Sequence, residues 1–459
     1  METDSPLKLC RNDERGAHFV ATRDMPAGTR ILSPGCIEEA LTDGSKRCSD
    51  CKRGVSEQDK HCLFCSNFAT CTKCTKEDLW RRHQKECRAF NALEMEFEEE
   101  GLTKQSAVAI ETNARENLFL ALRWTIHRSE TLYGSDPWLQ GIWRNGTVPG
   151  ILLSHEDKRD EEDISNIHAT ANFILELANS HAKAQASVEE IRQFLQIVKC
   201  NGCGIMDPFR QESIGIGLYP SGCCFNHSCR PNCDYLPDAN GRIQVVTIRP
   251  VLMGEEMTLT YTDNVTQSIK ERSESLSSYF FVCDCERCTK EVRMDLQLDS
   301  EEELHVTKME HALIEAENSD TVALGLEKFK IAVKEMWNIP EFHRLRWKAY
   351  HGCLIHAEVM RDWETAETAI NGMLKFHDEV DKMRSTELLP VAKVGLLVKK
   401  AWVLSKISTQ RSVESRTIIT TAISALQPFG VDVLGLRLWE KGFLTCKHVE
   451  TIDEILYAE

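Results

Sequence analysis

No stretch of the chain approaches the roughly 18 consecutive apolar residues that a membrane-spanning helix requires, so no membrane partner is expected. The opening Met1-Glu2-Thr3-Asp4 lacks the basic-then-apolar order of a secretory signal, which makes the cytoplasm and nucleus the expected compartments. Excess positive charge is missing as well. Lys and Arg number 55 against 71 Asp and Glu, a formal net charge of −16. A protein whose main task is gripping phosphate backbones is usually basic over its binding domain, so DNA is not an expected partner, whereas a basic protein tail would be drawn in. One region departs from this balance: residues 46–88 hold eleven Lys or Arg against six Asp or Glu. Even there, no aromatic-rich stacking surface accompanies the charge.

What the chain does have is length and cysteine. Its 459 residues exceed one ordinary core and imply roughly two to four modules. Its 20 cysteines need a purpose other than disulfides in a reducing compartment. They cluster between Cys48 and Cys87, between Cys200 and Cys233, and between Cys283 and Cys288. Clusters with two-residue gaps read as metal sites, while isolated cysteines such as Cys10, Cys36, Cys353 and Cys446 read as small core residues.

Local patterns divide the rest. Residues 7–34 read as short strands around the turn signal Met25-Pro26-Ala27-Gly28. From 91 to 198 the apolar spacing is helical, with an acidic run at 94–100 and a charged loop at 156–163 expected to be solvated surface. Residues 201–263 return to β character, with strands expected at 244–248 and 257–261. Beyond about residue 300 helical faces reappear, as in Ala366-Ile370-Met373 and Val394-Leu397-Ala401, but without a strict 34-residue repeat.

The first cysteine module reads Cys48-x2-Cys51, Cys62-x2-Cys65, Cys71-x2-Cys74 and His83-x3-Cys87. Zinc takes four tetrahedral sulfur or nitrogen ligands, and a two-residue gap lets both thiolates of a turn face one ion. Eight such ligands make two closed sites with no position left for water, hence structural ones. So short a module, with few large apolar side chains, would draw much of its folding free energy from the metal.

Further on come Asn226-His227-Ser228-Cys229, then Gly254-Glu255-Glu256-Met257-Thr258-Leu259-Thr260-Tyr261, then Tyr279-Phe280-Phe281-Val282-Cys283-Asp284-Cys285-Glu286-Arg287-Cys288. In this order and spacing they resemble the SET methyltransferase domain, and Gly16-Ala17-His18-Phe19-Val20-Ala21 resembles its opening strand and turn. The ligand order of the cysteine module resembles the MYND zinc finger. Together they resemble the SET-and-MYND-domain (SMYD) family of protein-lysine methyltransferases.

The resemblance implies an α+β fold: a β-rich SET domain split by a MYND finger and a helical insertion, followed by a TPR-like α-helical domain. The implied boundaries are 1–46 for the N-terminal SET segment, 47–88 for the finger and 89–200 for the insertion. The SET core follows at 201–263, a post-SET zinc segment at 264–292 and the helical domain at 293–459. It implies S-adenosyl-L-methionine as cofactor and a lysine of a histone or non-histone protein as substrate. It pairs Cys48, Cys51, Cys71 and Cys74 on one zinc, and Cys62, Cys65, His83 and Cys87 on another. Cys74 stands one residue before the family's usual ligand position, where this chain has Thr75. Tyr261 and Tyr279 take the catalytic positions. Gly16, His18, Asn226, His227, Tyr261 and Phe281 take the cofactor positions, with His18 replacing the family's second glycine.

Cys283, Cys285 and Cys288 lie one ligand short of a third closed site, which Cys229 completes, with Cys233 as the competing fourth ligand. At the family's aromatic channel position this chain has Cys203, which either widens the channel or is covered by a neighbour. Cys200, Cys203, Cys223, Cys224 and Cys233 read as buried strand cysteines or as a further metal site. Beside the enzyme stands a second reading, a co-regulator that holds proline-rich peptides on its finger while the SET core is weak or idle.

Overall fold

The computed structural model describes residues 5–52, 54–99, 114–128, 152–206, 213–237, 242–262, 269–289, 300–339, 341, 343–384, 391–408 and 411–427. Cys446 lies outside them.

The β-rich region is assembled from two stretches of chain, strands within residues 7–41 and strands within residues 203–259. Strands β1 (Leu7–Asn12) and β2 (Gly16–Ala21) form an antiparallel hairpin with Leu7 opposite Ala21. Its alternation sends Leu7, Phe19 and Ala21 into a core shared with Phe225, Val245, Val251, Met257 and Leu259. Strands β3 (Arg30–Leu32) and β4 (Glu39–Leu41) follow. The finger contributes only the short ribbon β5 (Lys60–His61) and β6 (Ala69–Thr70).

After the helical insertion come β7 (Cys203–Met206), β8 (Ser213–Gly217), β9 (Asn226–His227), β10 (Cys233–Pro237), β11 (Ile243–Thr247) and β12 (Thr258–Leu259). They form the sheets β4-β8-β7 and β10-β11-β3, and the parallel pair β9–β12. The expected strand at 257–261 pairs over two residues only, because Thr260 turns its hydroxyl onto the Thr262 carbonyl at 2.9 Å and curls the chain. In β8, Gly215 lies so close to β4 that an added Cβ would meet the Ala40 carbonyl at 2.2 Å. Gly215→Ala must therefore push β4 and β8 apart or shift backbone. The expected loss is about 1–3 kcal/mol, read as a lowered midpoint in urea unfolding.

The insertion packs helices on this frame. Helix α1 (Glu77–Glu99) starts inside the finger and continues into the insertion, so the boundary expected at 88 falls within one helix. Helix α2 spans Ala114–His127, α3 spans Glu161–Ala182 and α4 spans Val188–Asn201. Asp160 caps α3 by accepting from the Asp163 N–H, and Ser187 with Glu190 forms a capping box on α4. The charged segment 156–163 is thus a one-turn 3-10 helix and a helix start rather than a plain loop. Of the acidic run, Glu94 is only 15% exposed and pairs with buried Arg115, so it is not solvated surface. Stacked Trp124 and Phe194, 4.3 Å apart, close the core between α2 and α4.

Helix α5 (Ile269–Leu276) leads into the post-SET segment. The last region holds α6 (Ser300–Glu317), α7 (Val322–Glu335), α8 (Arg344–Met360), α9 (Trp363–Arg384), α10 (Val391–Ile407) and α11 (Ser412–Leu426), each packed on the next. Ala366, Ile370 and Met373 are buried between them, as are Val394 and Ala401.

Candidate functional site: three thiol clusters and an aromatic notch

Two of the finger's three Cys-x2-Cys turns are closed by a residue in the left-handed region immediately after the second cysteine. These are Lys52 at φ 62° and Ser66 at φ 50°. The turns bring together Cys48, Cys51, Cys71 and Cys74, and separately Cys62, Cys65, His83 and Cys87. In each set the donor atoms lie within 4.8 Å of one another. A tetrahedral ion with zinc–sulfur bonds near 2.3 Å spaces its sulfurs about 3.8 Å apart. The sulfurs of Cys51 and Cys71 are 3.8 Å apart, and those of Cys62 and Cys87 3.5 Å. The donor sets fit zinc, Cys74 included. Thiols so crowded cannot share one protonation state: the hydrogen bond from Cys51 holds Cys48 down at about 4, while burial pushes Cys74 up to about 12.

The second set is locked to the insertion by one carboxylate. His83 stacks on Phe68 at 4.1 Å and turns its Nδ1 to Glu86, 3.4 Å away. Glu86 also accepts from Arg123 at 2.9 and 2.8 Å and faces His127 Nε2 at 3.1 Å. Despite full burial, these cations and hydrogen bonds hold Glu86 well below the usual carboxylate range. Glu86→Ala would remove two hydrogen bonds from the half-buried Arg123 guanidinium and free the ligand imidazole. A stability loss of about 3–5 kcal/mol is expected, with zinc affinity at this site about 10–100-fold weaker. Urea unfolding and competitive zinc chelation measure the two effects.

The other end of the constellation is built where β9 meets β12. The Tyr261 N–H donates to His227 Nδ1 at 2.9 Å. Burial lowers His227 to about 4, so the ring is neutral and its other nitrogen carries the proton toward the Cys229 sulfur, 3.2 Å away. Tyr261 donates its hydroxyl to the Phe225 carbonyl at 2.7 Å. Burial, then the nearby Cys223 and Cys203 sulfurs, raise its phenol well above the usual range, so it serves as a neutral hydrogen-bonding group and not as a base. Around it gather Tyr279, with ring centres 5.0 Å apart, Phe281 at 6.3 Å and His227 at 5.4 Å. Between Tyr279 and Phe281, Phe280 takes φ 60° and its ring packs against His155 and Arg159 of the insertion.

Asn226 joins this cluster to the first hairpin. Its amide donates to the Arg15 carbonyl at 3.0 Å and to Glu256 at 2.8 Å. Next to Arg15, Gly16 has φ +63°, which an L side chain rarely adopts, and the Leu153 side chain lies 3.8 Å from where a Cβ would stand. A side chain at Gly16 would be strained by that backbone and would touch Leu153. His18 is buried, with its Nδ1 3.1 Å from the Gly16 carbonyl.

The third thiol set consists of Cys229, Cys283, Cys285 and Cys288. Cys229 lies 3.9 Å from Cys283 and 3.5 Å from Cys288, again the spacing of zinc ligands. The competing Cys233 is instead buried in the hairpin core, its sulfur on Asn232. Cys200 contacts Arg159 and Cys224 bonds the Pro220 carbonyl, so among the described residues no fourth metal set forms.

The sequence pattern does not point to two contributors, Leu153 and Asn201, and gives Glu256 no role of its own. Asn201 ends α4, donates its amide to the Leu153 and Ile197 carbonyls at 2.9 Å, and offers its own carbonyl to Cys203 and Cys223. No spacing signal marks the contact of Asn201 with Leu153, which joins positions 48 residues apart. A cavity of about 660 Å³ lies elsewhere, between the finger and β4, where Lys52 pairs with Glu39, Arg82 with Glu38 and Arg123 with Glu86.

Comparison with known proteins places this geometry. Residues 16–262 match the SET domain family. Histone-lysine N-methyltransferase Smyd1 of Mus musculus is 25% identical over 320 residues, covering 65% of this chain and 58% of that protein. Histone-lysine N-methyltransferase SMYD3 of Homo sapiens is 25% identical over 289 residues, 62% of each chain. A SET and MYND domain-containing protein of Dictyostelium discoideum is 24% identical over 337 residues, 61% of this chain and 80% of that one. The chain thus spans less than two thirds of the length of the two histone-lysine methyltransferases. A solved SET domain of LSMT bound to lysine and AdoHcy aligns at 13% identity over 100% of this chain and 96% of that one, with a TM-score of 0.31 too low to carry weight.

Proposed function

We propose that this chain, which belongs to the SET domain family, is of its SET-and-MYND branch and is an S-adenosyl-L-methionine-dependent protein-lysine N-methyltransferase. The observation that carries the reading is the convergence of Tyr261, Tyr279, Phe281 and His227 beside the Asn226–Gly16 notch. Bound S-adenosyl-L-methionine supplies an electrophilic methyl group on a sulfonium.

The chain's own residues supply the rest. Gly16 presents bare backbone, and Asn226 ties that backbone to β9. Tyr261, whose hydroxyl proton is engaged by Phe225, keeps its lone pairs as acceptors for the N–H bonds of a neutral amine. A substrate lysine held against the Tyr261, Tyr279 and Phe281 rings would lose water from around its ammonium, which disfavours the charged form, so its proton passes to water before attack. Holding donor and amine in one orientation makes the encounter effectively unimolecular. Zinc at the third thiol set would pin Tyr279 and Phe281 against Tyr261.

The substrate class proposed is a lysine in a basic histone or non-histone tail, met in the cytoplasm or nucleus. The net charge of −16 supports that class. For the finger we propose docking of proline-rich peptides, supported by the exposure of Leu63 (94%) and Phe64 (60%) and by Lys60 held over Trp80 at 4.1 Å. The test of the enzyme is incubation of the purified chain with methyl-labelled cofactor and a cell lysate, followed by mass-spectrometric mapping of modified lysines. Labelled lysines are the expected result. Cofactor binding with no labelled protein would sink the enzyme and favour a scaffold that works through its finger.

A further inference from the structure

Twelve residues are absorbed by the three metal sets, yet two further cysteines meet outside them. Cys203 begins β7 and Cys223 sits in the one-turn 3-10 helix Gly222–Cys224. Their sulfurs lie against one oxygen, the Asn201 carbonyl, at 3.8 and 3.2 Å. Neither residue is fully buried. We propose that Cys203 and Cys223 form a reversible disulfide on exposure to hydrogen peroxide, and that this bond switches off the site beside Tyr261. The switch rests on the methyltransferase reading, whereas the disulfide does not.

The chemistry balances with peroxide as the two-electron oxidant. The Cys203 thiolate attacks one peroxide oxygen, the O–O bond breaks, and hydroxide leaves as water, giving a sulfenic acid. The Cys223 sulfur then attacks that sulfur. The S–S bond forms, the S–O bond breaks, and the second hydroxide takes up the Cys223 proton as water. Two thiols and one peroxide become one disulfide and two waters, and a dithiol reductant reverses the change. The contact between the thiols suits these roles, since it pulls Cys203 down and pushes Cys223 up.

The bond has a short route to the reaction centre. Cys223 lies two residues before Phe225, whose carbonyl accepts the Tyr261 hydroxyl, and three before Asn226. Joining Cys223 to β7 repositions that carbonyl. A displacement near 1 Å there costs about 10²-fold in rate.

The zinc-loaded full-length chain would be titrated with hydrogen peroxide, alkylated, and mapped by non-reducing peptide mass spectrometry, with zinc release followed by a chromophoric chelator. The expected result is a Cys203–Cys223 cross-link at peroxide doses that leave the zinc bound. Methyl transfer should fall about 10²-fold and return with dithiothreitol. Cys203→Ser and Cys223→Ser should each abolish the cross-link and the peroxide sensitivity, each variant being compared with its own reduced form. Phenylarsine oxide, which bridges two thiols, should label the same peptide pair in the unsubstituted protein, so the pairing is testable even if a variant misfolds. Separate alkylated thiols at both positions, or zinc loss preceding the cross-link, would overturn the proposal. A cross-link that leaves transfer unchanged would overturn the switch. Should the reduced protein transfer no methyl at all, the enzymatic reading fails, while the peptide map still decides the disulfide.

Discussion

Tyr261→Phe is expected to lower methyl transfer by about 10²–10³-fold, the effect of deleting one preorganised hydrogen-bonding group at a reaction centre. The substitution removes a single oxygen and keeps the ring. The ring's contacts with His227, Tyr279 and Phe281 therefore survive, as does the backbone N–H that fixes His227. What disappears is the hydroxyl held by the Phe225 carbonyl. Folding loses about 1 kcal/mol for one hydrogen bond, too little to account for such a rate change. Single-turnover transfer with labelled cofactor gives the rate, and calorimetry gives cofactor affinity, which should stay close to that of the unsubstituted chain. Transfer at full rate would remove Tyr261 from the mechanism.

Cys285→Ser should lower the zinc content from three ions per chain to two, and lower transfer without unfolding the finger. The four thiols at this set come from two places in the sequence: Cys229, beside the notch, and the segment from Cys283 to Cys288. Tyr279 and Phe281 lie just ahead of that segment. Without the metal their placement relies on weaker contacts, among them their own rings against Tyr261, Phe280 against His155 and Arg159, and Lys158 donating to the Phe280 carbonyl at 3.1 Å. These contacts are partly exposed and weak beside a structural zinc, worth about 10–16 kcal/mol of binding free energy. The expected loss of transfer is at least about tenfold, in the range for displaced metal-site and positioning groups. Elemental analysis counts the ions. Circular dichroism should show the helices intact, because none of α1–α4 supplies a ligand to this set. Three ions per chain in the variant, or unchanged transfer with two, would contradict the role of the third site.

How much was legible beforehand follows from the range of each interaction. The finger's ligands were readable because a zinc knuckle is a local object: four residues bring two thiols together, and the left-handed turns at Lys52 and Ser66 complete it. Cys74 takes its place in the first set although it stands one residue from the family position. The helical character of α2, α3 and α4 followed from apolar periodicity, and the folded chain adds the Ser187–Glu190 capping box that starts α4. The strand at 257–261 was overextended because alternation says nothing of where hydrogen-bonding partners stop.

The segment Asn226-His227-Ser228-Cys229 shows the division most clearly. Its residue types and its spacing from Tyr261 and Cys283 pointed to the constellation from the sequence alone. Only the folded chain decided that Cys229 and not Cys233 joins the third set, since that depends on which cysteine the Phe19–Val245 core buries. It also decided that Glu86 serves His83, Arg123 and His127 together, and that Asn201 gathers Leu153, Cys203 and Cys223. Apart from Glu86–His83 and Asn201–Cys203, those contacts join residues 22 to 48 positions apart. Periodicity and motif spacing encode neighbours along the chain, whereas burial of a charge or a thiol is set by whatever the tertiary packing brings against it.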